Sequence, residues 1–180
     1  EATQPIRTLG PLIHNPSVVA ELEQKGVGVA DCPGDVDAGT LILRSHGVPK
    51  DVRDALRDSG ARIVDATCPF VTSAQEKAAQ LNQDGYYVMI LGDRDHPEVL
   101  GLKSYAGERS LVVEGAADVP ERLPSQKIGV VVQTTQSGER LAEIVGRLAP
   151  ETRELLVYNT ICNATELRQS AALAMAGEVD

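Results

Sequence analysis

The amino-acid sequence predicts an α/β protein built from mainly parallel sheets, and two observations carry that expectation. Short β-branched runs alternate with amphipathic stretches along the chain, the pattern of repeated strand–helix units. The runs are continuously apolar, as in Val88-Met89-Ile90-Leu91, which suits strands covered on both faces. In order, strands are predicted at 6–9, 27–30, 41–44, 62–65, 86–91, 111–113, 128–132 and 155–158. The helices between them have legible ends. Asn15-Pro16 offers a cap and a first-turn proline, and Gly26 closes that helix. Pro49 opens the next, with Val52, Ala55 and Leu56 on one side and Gly60 after it. Pro69 opens a third that buries Val71, Ala74, Ala78 and Leu81. Leu141, Ile144, Val145 and Leu148 form a further stripe, and Ala164, Leu167, Ala171 and Met175 a last one.

A length of 180 residues suits one domain or two small ones. With 17 Lys and Arg against 26 Asp and Glu, the net charge of −9 argues against a general nucleic-acid or anionic-membrane binder. No apolar run approaches the length of a membrane span. One Phe, four Tyr and no Trp leave no stacking platform for single-stranded nucleic acid or sugars. There is no Walker loop and no G-x-G-x-x-G after a strand, so neither ATP nor a dinucleotide has an evident cradle. Cys32, Cys68 and Cys162, odd in number and widely spaced, fit a reducing compartment. The chain starts at Glu1 and is read as a piece of something longer.

The reactive residues fall in a pattern. His14 precedes Asn15-Pro16, His46 follows the third predicted strand, and His96 follows the fifth. Each is followed within three positions by proline and then by valine. Cys68 precedes Pro69, Thr134 ends the strand at 128–132, and Cys162 follows the strand at 155–158. All lie where a strand ends and a helix begins, the edge at which open α/β sheets bind ligands. Helix amino termini there present free N–H groups suited to phosphate. Structural readings stand beside these: a hydrogen-bonded histidine, an acid at Glu98 that complements its helix dipole, capping roles for Thr134, Thr135 and Ser137, and buried thiols. Cys32, in the loop Asp31-Cys32-Pro33-Gly34, has no strand–helix setting and reads as incidental. Two cysteines 94 positions apart make no local zinc motif. The residues by themselves support an α/β protein that binds an anionic small molecule, with a metal as a further option.

Six segments carry more. They are Gly10-Pro11-Leu12-Ile13-His14-Asn15-Pro16, Arg44-Ser45-His46-Gly47-Val48-Pro49, Asp65-Ala66-Thr67-Cys68-Pro69, His96-Pro97-Glu98-Val99, Gln133-Thr134-Thr135-Gln136 and Asn159-Thr160-Ile161-Cys162-Asn163-Ala164-Thr165. In this order and spacing the chain resembles the 4-hydroxy-3-methylbut-2-enyl diphosphate reductases, the last enzymes of the methylerythritol phosphate route to isoprenoids. The resemblance implies reduction of an allylic alcohol diphosphate to isopentenyl and dimethylallyl diphosphate, with ferredoxin or flavodoxin as electron donor. It implies a 4Fe–4S cluster held by three cysteines, of which Cys68 and Cys162 match two and the third lies outside this chain. His14, His46 and His96 match the diphosphate-site histidines, Glu98 the proton donor and Thr134 the threonine near the substrate hydroxyl.

The residue types suit those roles. Thiolates ligate iron–sulfur iron, and incomplete protein ligation leaves an open iron. Loss of hydroxide calls for a carboxylic acid within reach of the oxygen. The family fold implies three α/β/α units in pseudo-threefold array around the cluster. Here the first would cover 1–67 without its amino-terminal cysteine motif, the second 68–158, and the start of the third 159–180. A segment with two thiolates is expected to be inactive by itself. The expected location is the bacterial cytoplasm, with the plastid stroma as the alternative, and neither nucleic acid nor membrane is expected as a partner. Rival readings are a truncated, non-catalytic homologue that binds a phosphorylated metabolite, and a zinc hydrolase with histidine and cysteine ligands.

Overall fold

The computed structural model describes residues 3–36, 38–57 and 59–178, with the side chains of residues 165 and 166 outside the description. The chain divides into two compact units, Glu1–Thr72 and Ser73–Asp180. The fold is α/β with two four-stranded sheets, every pairing parallel.

The first unit holds β1 (Ile6–Leu9), β2 (Val27–Ala30), β3 (Thr40–Leu43) and β4 (Arg62–Asp65), in the order β2-β1-β3-β4. Helices α1 (Pro16–Gln24) and α2 (Lys50–Arg57) make crossovers. The α1 start forms as its sequence predicts: the Asn15 side chain accepts from Ser17 N and Val18 N, and Pro16 sits in the first turn. Leu9, Ala30, Val36, Leu41, Leu43, Val48 and Leu56 make the core. Strand β3 begins and ends one residue earlier than predicted. Thr40 N bonds Pro5 O and extends the ladder, while Arg44 turns its Nε onto Gly47 O at 3.3 Å and so belongs to the following turn.

Helix α3 (Pro69–Gln83) begins in the last residues of the first unit and continues into the second. The second sheet runs β6-β5-β7-β8, with β5 (Tyr87–Leu91), β6 (Ser110–Val113), β7 (Lys127–Val132) and β8 (Glu154–Val157). Helices α4 (Pro97–Ala106), α5 (Gly138–Leu148) and α6 (Asn163–Ala176) follow β5, β7 and β8.

The continuous apolar runs are explained here. Val88 and Ile90 face one core with Ala74, Ala78 and Leu81 of α3 and Val99, Leu102 and Ala106 of α4. Met89 and Leu91 face another with Leu141, Ile144 and Leu148 of α5. Each fully buried side chain of this size contributes roughly 1.5–3 kcal/mol. Gly129, on central strand β7, lies under Leu81: a Cβ there would stand 2.5 Å from Leu81 Cδ2, so the glycine lets α3 approach the sheet.

Helix α6 forms over its predicted apolar stripe, but that stripe stands largely exposed. Leu167, Leu173 and Met175 are 68%, 77% and 62% exposed, so the expected stripe has no apolar surface to cover among the described residues. No helix among those residues is long and apolar enough to cross a membrane.

Candidate functional site

In the first unit the predicted residues sit on three successive turns at the carboxyl ends of β1, β3 and β4, laced together through Ser45. Ser45 N and Oγ both donate to Leu12 O, at 3.2 and 3.1 Å, which ties the β3–α2 turn to the turn carrying His14. The same residue accepts from Cys68 N at 2.9 Å through its carbonyl, which ties in the β4–α3 turn. Gly10 and Gly47, at φ +69° and +72°, allow the first two turns to fold back. His14 and His46 are thereby brought together, their ring centroids 4.3 Å apart and tilted by 51°. His14 is exposed, and His46 and Cys68 are half-buried. Thr67 donates through N and Oγ1 to Asp65 Oδ1, and Arg53 pairs with Asp65, so the segment before Cys68 is held from both sides.

The second unit groups His96, Glu98, Thr134 and Cys162. Glu98, at 2% exposure, turns its carboxylate onto the β7–α5 turn. Its Oε1 accepts from Thr134 N at 2.6 Å and its Oε2 from Thr134 Oγ1 at 2.9 Å. Thr134 O accepts from Cys162 N at 2.8 Å, so one residue joins the acid to the cysteine turn. Thr160 secures that turn, accepting from Val132 N at 2.9 Å through its hydroxyl oxygen. His96 caps α4: its Nδ1 accepts from Glu98 N at 3.2 Å, which places the ring proton on Nε2.

Burial pushes the Glu98 carboxyl above the ordinary range, against the pull of the two Thr134 donors. A first-turn acid that merely complemented its helix dipole would face solvent, whereas this one is turned inward onto a threonine. The two oxygens differ. The one on Thr134 N meets a donor that cannot reverse, so the proton of the neutral acid resides on Oε2, facing a hydroxyl that can rotate to accept it.

The pH dependence of stability follows. A carboxyl whose native pKa lies above its unfolded one binds its proton more tightly when folded. Its contribution is greatest below the unfolded pKa and is lost as pH rises through the native one. Glu98→Gln removes that slope. Urea unfolding at about pH 5 and about pH 8 should show the native protein gaining on the variant at the lower pH, and parallel profiles would refute the assignment.

Cys68 and Cys162 are free thiols, both half-buried, each directly preceding a helix and held through its backbone N–H. Sulfur donors of this kind suit iron–sulfur iron and not a hard cation such as magnesium. Cys32 is exposed, in a short loop where its N–H donates to Asp35. The Thr165 side chain of the last motif lies outside the described residues. Singling out Thr134 from its motif passed over the neighbouring Gln133, which is 1% exposed and bonds Asp93 N and Thr135 Oγ1 at 2.9 Å each. A glutamine directly after the strand run Ile128-Gly129-Val130-Val131-Val132 was the available signal.

Residues 1–180 match the family model described as LytB protein. The chain is 42% identical over 183 residues to the 4-hydroxy-3-methylbut-2-enyl diphosphate reductase of Aquifex aeolicus, a match covering 100% of this chain and 63% of that protein. It is 50% identical over 175 residues to the protein of the same name from Citrifermentans bemidjiense, covering 96% of this chain and 62% of the relative. The chain thus spans less than two thirds of either. Among solved structures it resembles an (E)-4-hydroxy-3-methyl-but-2-enyl diphosphate reductase with a TM-score of 0.83 at 42% identity, over 97% of this chain and 63% of the other. A Plasmodium falciparum reductase of E-1-hydroxy-2-methyl-but-2-enyl-4-diphosphate matches with a TM-score of 0.85 at 28% identity, over 93% of this chain and 54% of the other.

Proposed function

The chain belongs to the LytB protein family, and on that premise we propose that it is the central portion of a 4-hydroxy-3-methylbut-2-enyl diphosphate reductase. The reaction takes an allylic alcohol diphosphate, two electrons and two protons to isopentenyl or dimethylallyl diphosphate and water. The observation that supports this most strongly is the Glu98–Thr134 pair: a buried carboxyl, raised by its burial, whose protonatable oxygen faces a hydroxyl.

Within that reading each residue has a task set by its place. Glu98 holds a proton on Oε2 and passes it by way of the Thr134 hydroxyl toward the departing substrate oxygen, so that water and not hydroxide leaves. His14 and His46, on turns joined through Ser45, and His96, with its ring proton on Nε2, donate to the diphosphate oxygens. Such charge-assisted bonds contribute about 1.5–3 kcal/mol each and offset the acidity of the chain as a whole. Cys68 and Cys162 are two of three ligands to a 4Fe–4S cluster. When bound, that cluster delivers electrons one at a time and offers an open, Lewis-acidic iron. The electron donor is ferredoxin or flavodoxin, and the enzyme works in the bacterial cytoplasm without nucleic-acid or membrane partners.

Anaerobic reconstitution of the full-length protein with iron and sulfide tests the reading. The expected product is a coloured protein with about four irons per chain that consumes the allylic diphosphate when given a one-electron reductant. A well-folded protein that stays colourless and iron-free, or that takes up zinc instead, overturns it.

A further inference from the structure

Glu98 can meet Thr134 only if two turns, 92–96 after β5 and 133–137 after β7, keep a constant separation. We propose that Gln133 is a positioning residue that sets this separation and thereby aims Glu98, with Gln136 as an outer brace. The proposal rests on the proton-donor reading of Glu98.

The geometry is that of a clamp. Gln133 N donates to Leu91 O at 2.8 Å, which carries the β5–β7 ladder to its last rung. Beyond it, Gln133 Oε1 accepts from Asp93 N at 2.9 Å while its Nε2 donates to Thr135 Oγ1 at 2.9 Å. One fully buried amide therefore grips the first residues of one turn and stiffens the other. Gly92 shows how close the fit is: a Cβ there would lie 2.6 Å from Val99 Cγ2 and 2.7 Å from Gln133 Oε1. Only glycine lets the side chain lie flat against the β5–α4 turn. On the outside, Gln136 Nε2 donates to Asp93 Oδ1 at 3.3 Å, and Arg140 Nη1 donates to Gln136 Oε1 at 3.1 Å.

The clamped turn leads straight into the helix that carries the acid. His96 N bonds Asp93 O at 3.0 Å, His96 caps α4, and Glu98 lies two residues on. Asp93 is thus the point at which the β7–α5 turn holds the amino terminus of α4, and Glu98 meets that same turn again through Thr134. A buried amide with oxygen and nitrogen both satisfied admits one arrangement, because any shift leaves a polar atom unpaired. An apolar side chain of similar size would fill the space without fixing a distance.

The test is Gln133→Leu in the full-length protein loaded with its cluster. A displacement of about 1 Å at a proton-transfer group costs up to roughly 100-fold in rate. The expected result is therefore a 10- to 100-fold fall in kcat with KM within about threefold of the native value. The second readout needs no turnover. Deuterium uptake followed by mass spectrometry should rise in the peptide spanning 133–137, where Thr134 N bonds Glu98, while the central segments of β5 and β7 stay protected. Gln136→Leu, which removes only the outer side-chain bonds to Asp93 and Arg140, should show the same pattern more weakly and keeps the test open if the first variant does not fold. Unchanged kcat and unchanged uptake at 133–137, or a uniform rise in exchange over the whole unit, overturn the proposal. A native protein without turnover on the allylic diphosphate would defeat the reductase reading instead, while the exchange comparison would still decide whether Gln133 holds Thr134 against Glu98.

Discussion

On the proposed reading, Glu98→Gln in the full-length protein is expected to lower kcat by about 10²–10⁴ while leaving iron content and substrate affinity close to native. The substitution preserves shape and hydrogen-bond polarity. The amide oxygen can accept from Thr134 N as Oε1 does, and the amide nitrogen can donate to Thr134 Oγ1 as the protonated carboxyl would. The two turns therefore stay joined, and the deletion is confined to a transferable proton. Loss of an interaction used only in the transition state appears in kcat and leaves KM in place. Steady-state kinetics with a one-electron reductant, together with substrate binding by calorimetry, separate the outcomes. Turnover near the native rate would remove Glu98 from the mechanism, and a parallel loss of binding would recast it as a structural residue.

The fold was legible in the sequence where local chemistry and burial point the same way. Asn15-Pro16 has a cap and a first-turn proline that need nothing from the rest of the chain, and α1 begins there as read. The runs of β5 and β7 are apolar on both faces because α3 and α4 cover one side and α5 the other, so their parallel character is written in composition. Helix α4 shows no clean stripe because it buries residues around much of its girth, Glu98 and Gly101 included. In α6 an apolar spacing was readable but its covering surface was not, since Leu167, Leu173 and Met175 stand exposed.

The site was legible by place and not by partner. Strand-to-helix turns named His14, His46, Cys68, His96, Thr134 and Cys162 as candidates. The atoms that arrange them, Ser45 O, Thr134 N and the Gln133 amide, are backbone groups or common polar side chains whose neighbours depend on turn geometry. For Glu98 the dipole argument and the family resemblance pointed different ways. What separates them is the direction in which the side chain leaves the helix, a property of packing that a sequence pattern does not contain.

The cysteines give the second large effect. If Cys68 and Cys162 hold the cluster as proposed, Cys68→Ala or Cys162→Ala should leave the full-length protein with under about a tenth of its native iron, since even changes outside the ligand shell cost 10–100-fold in metal affinity and these would remove a ligand outright. Cys32→Ala should retain full iron content, which turns the three free cysteines into an internal comparison. The contrast follows from where each thiol sits. Cys68 and Cys162 are half-buried at the starts of α3 and α6, their N–H groups tied to Ser45 O and Thr134 O, so each sulfur is carried by a turn already bonded to a neighbouring one. Cys32 lies exposed as the N-cap of the three-residue helical turn Pro33–Asp35, its N–H donating to Asp35. Iron and acid-labile sulfide analysis after anaerobic reconstitution, with circular dichroism to confirm folding, reads the result. Native iron content in Cys68→Ala or Cys162→Ala would exclude that thiol as a ligand, and loss of iron in Cys32→Ala would overturn the reading of Cys32 as incidental.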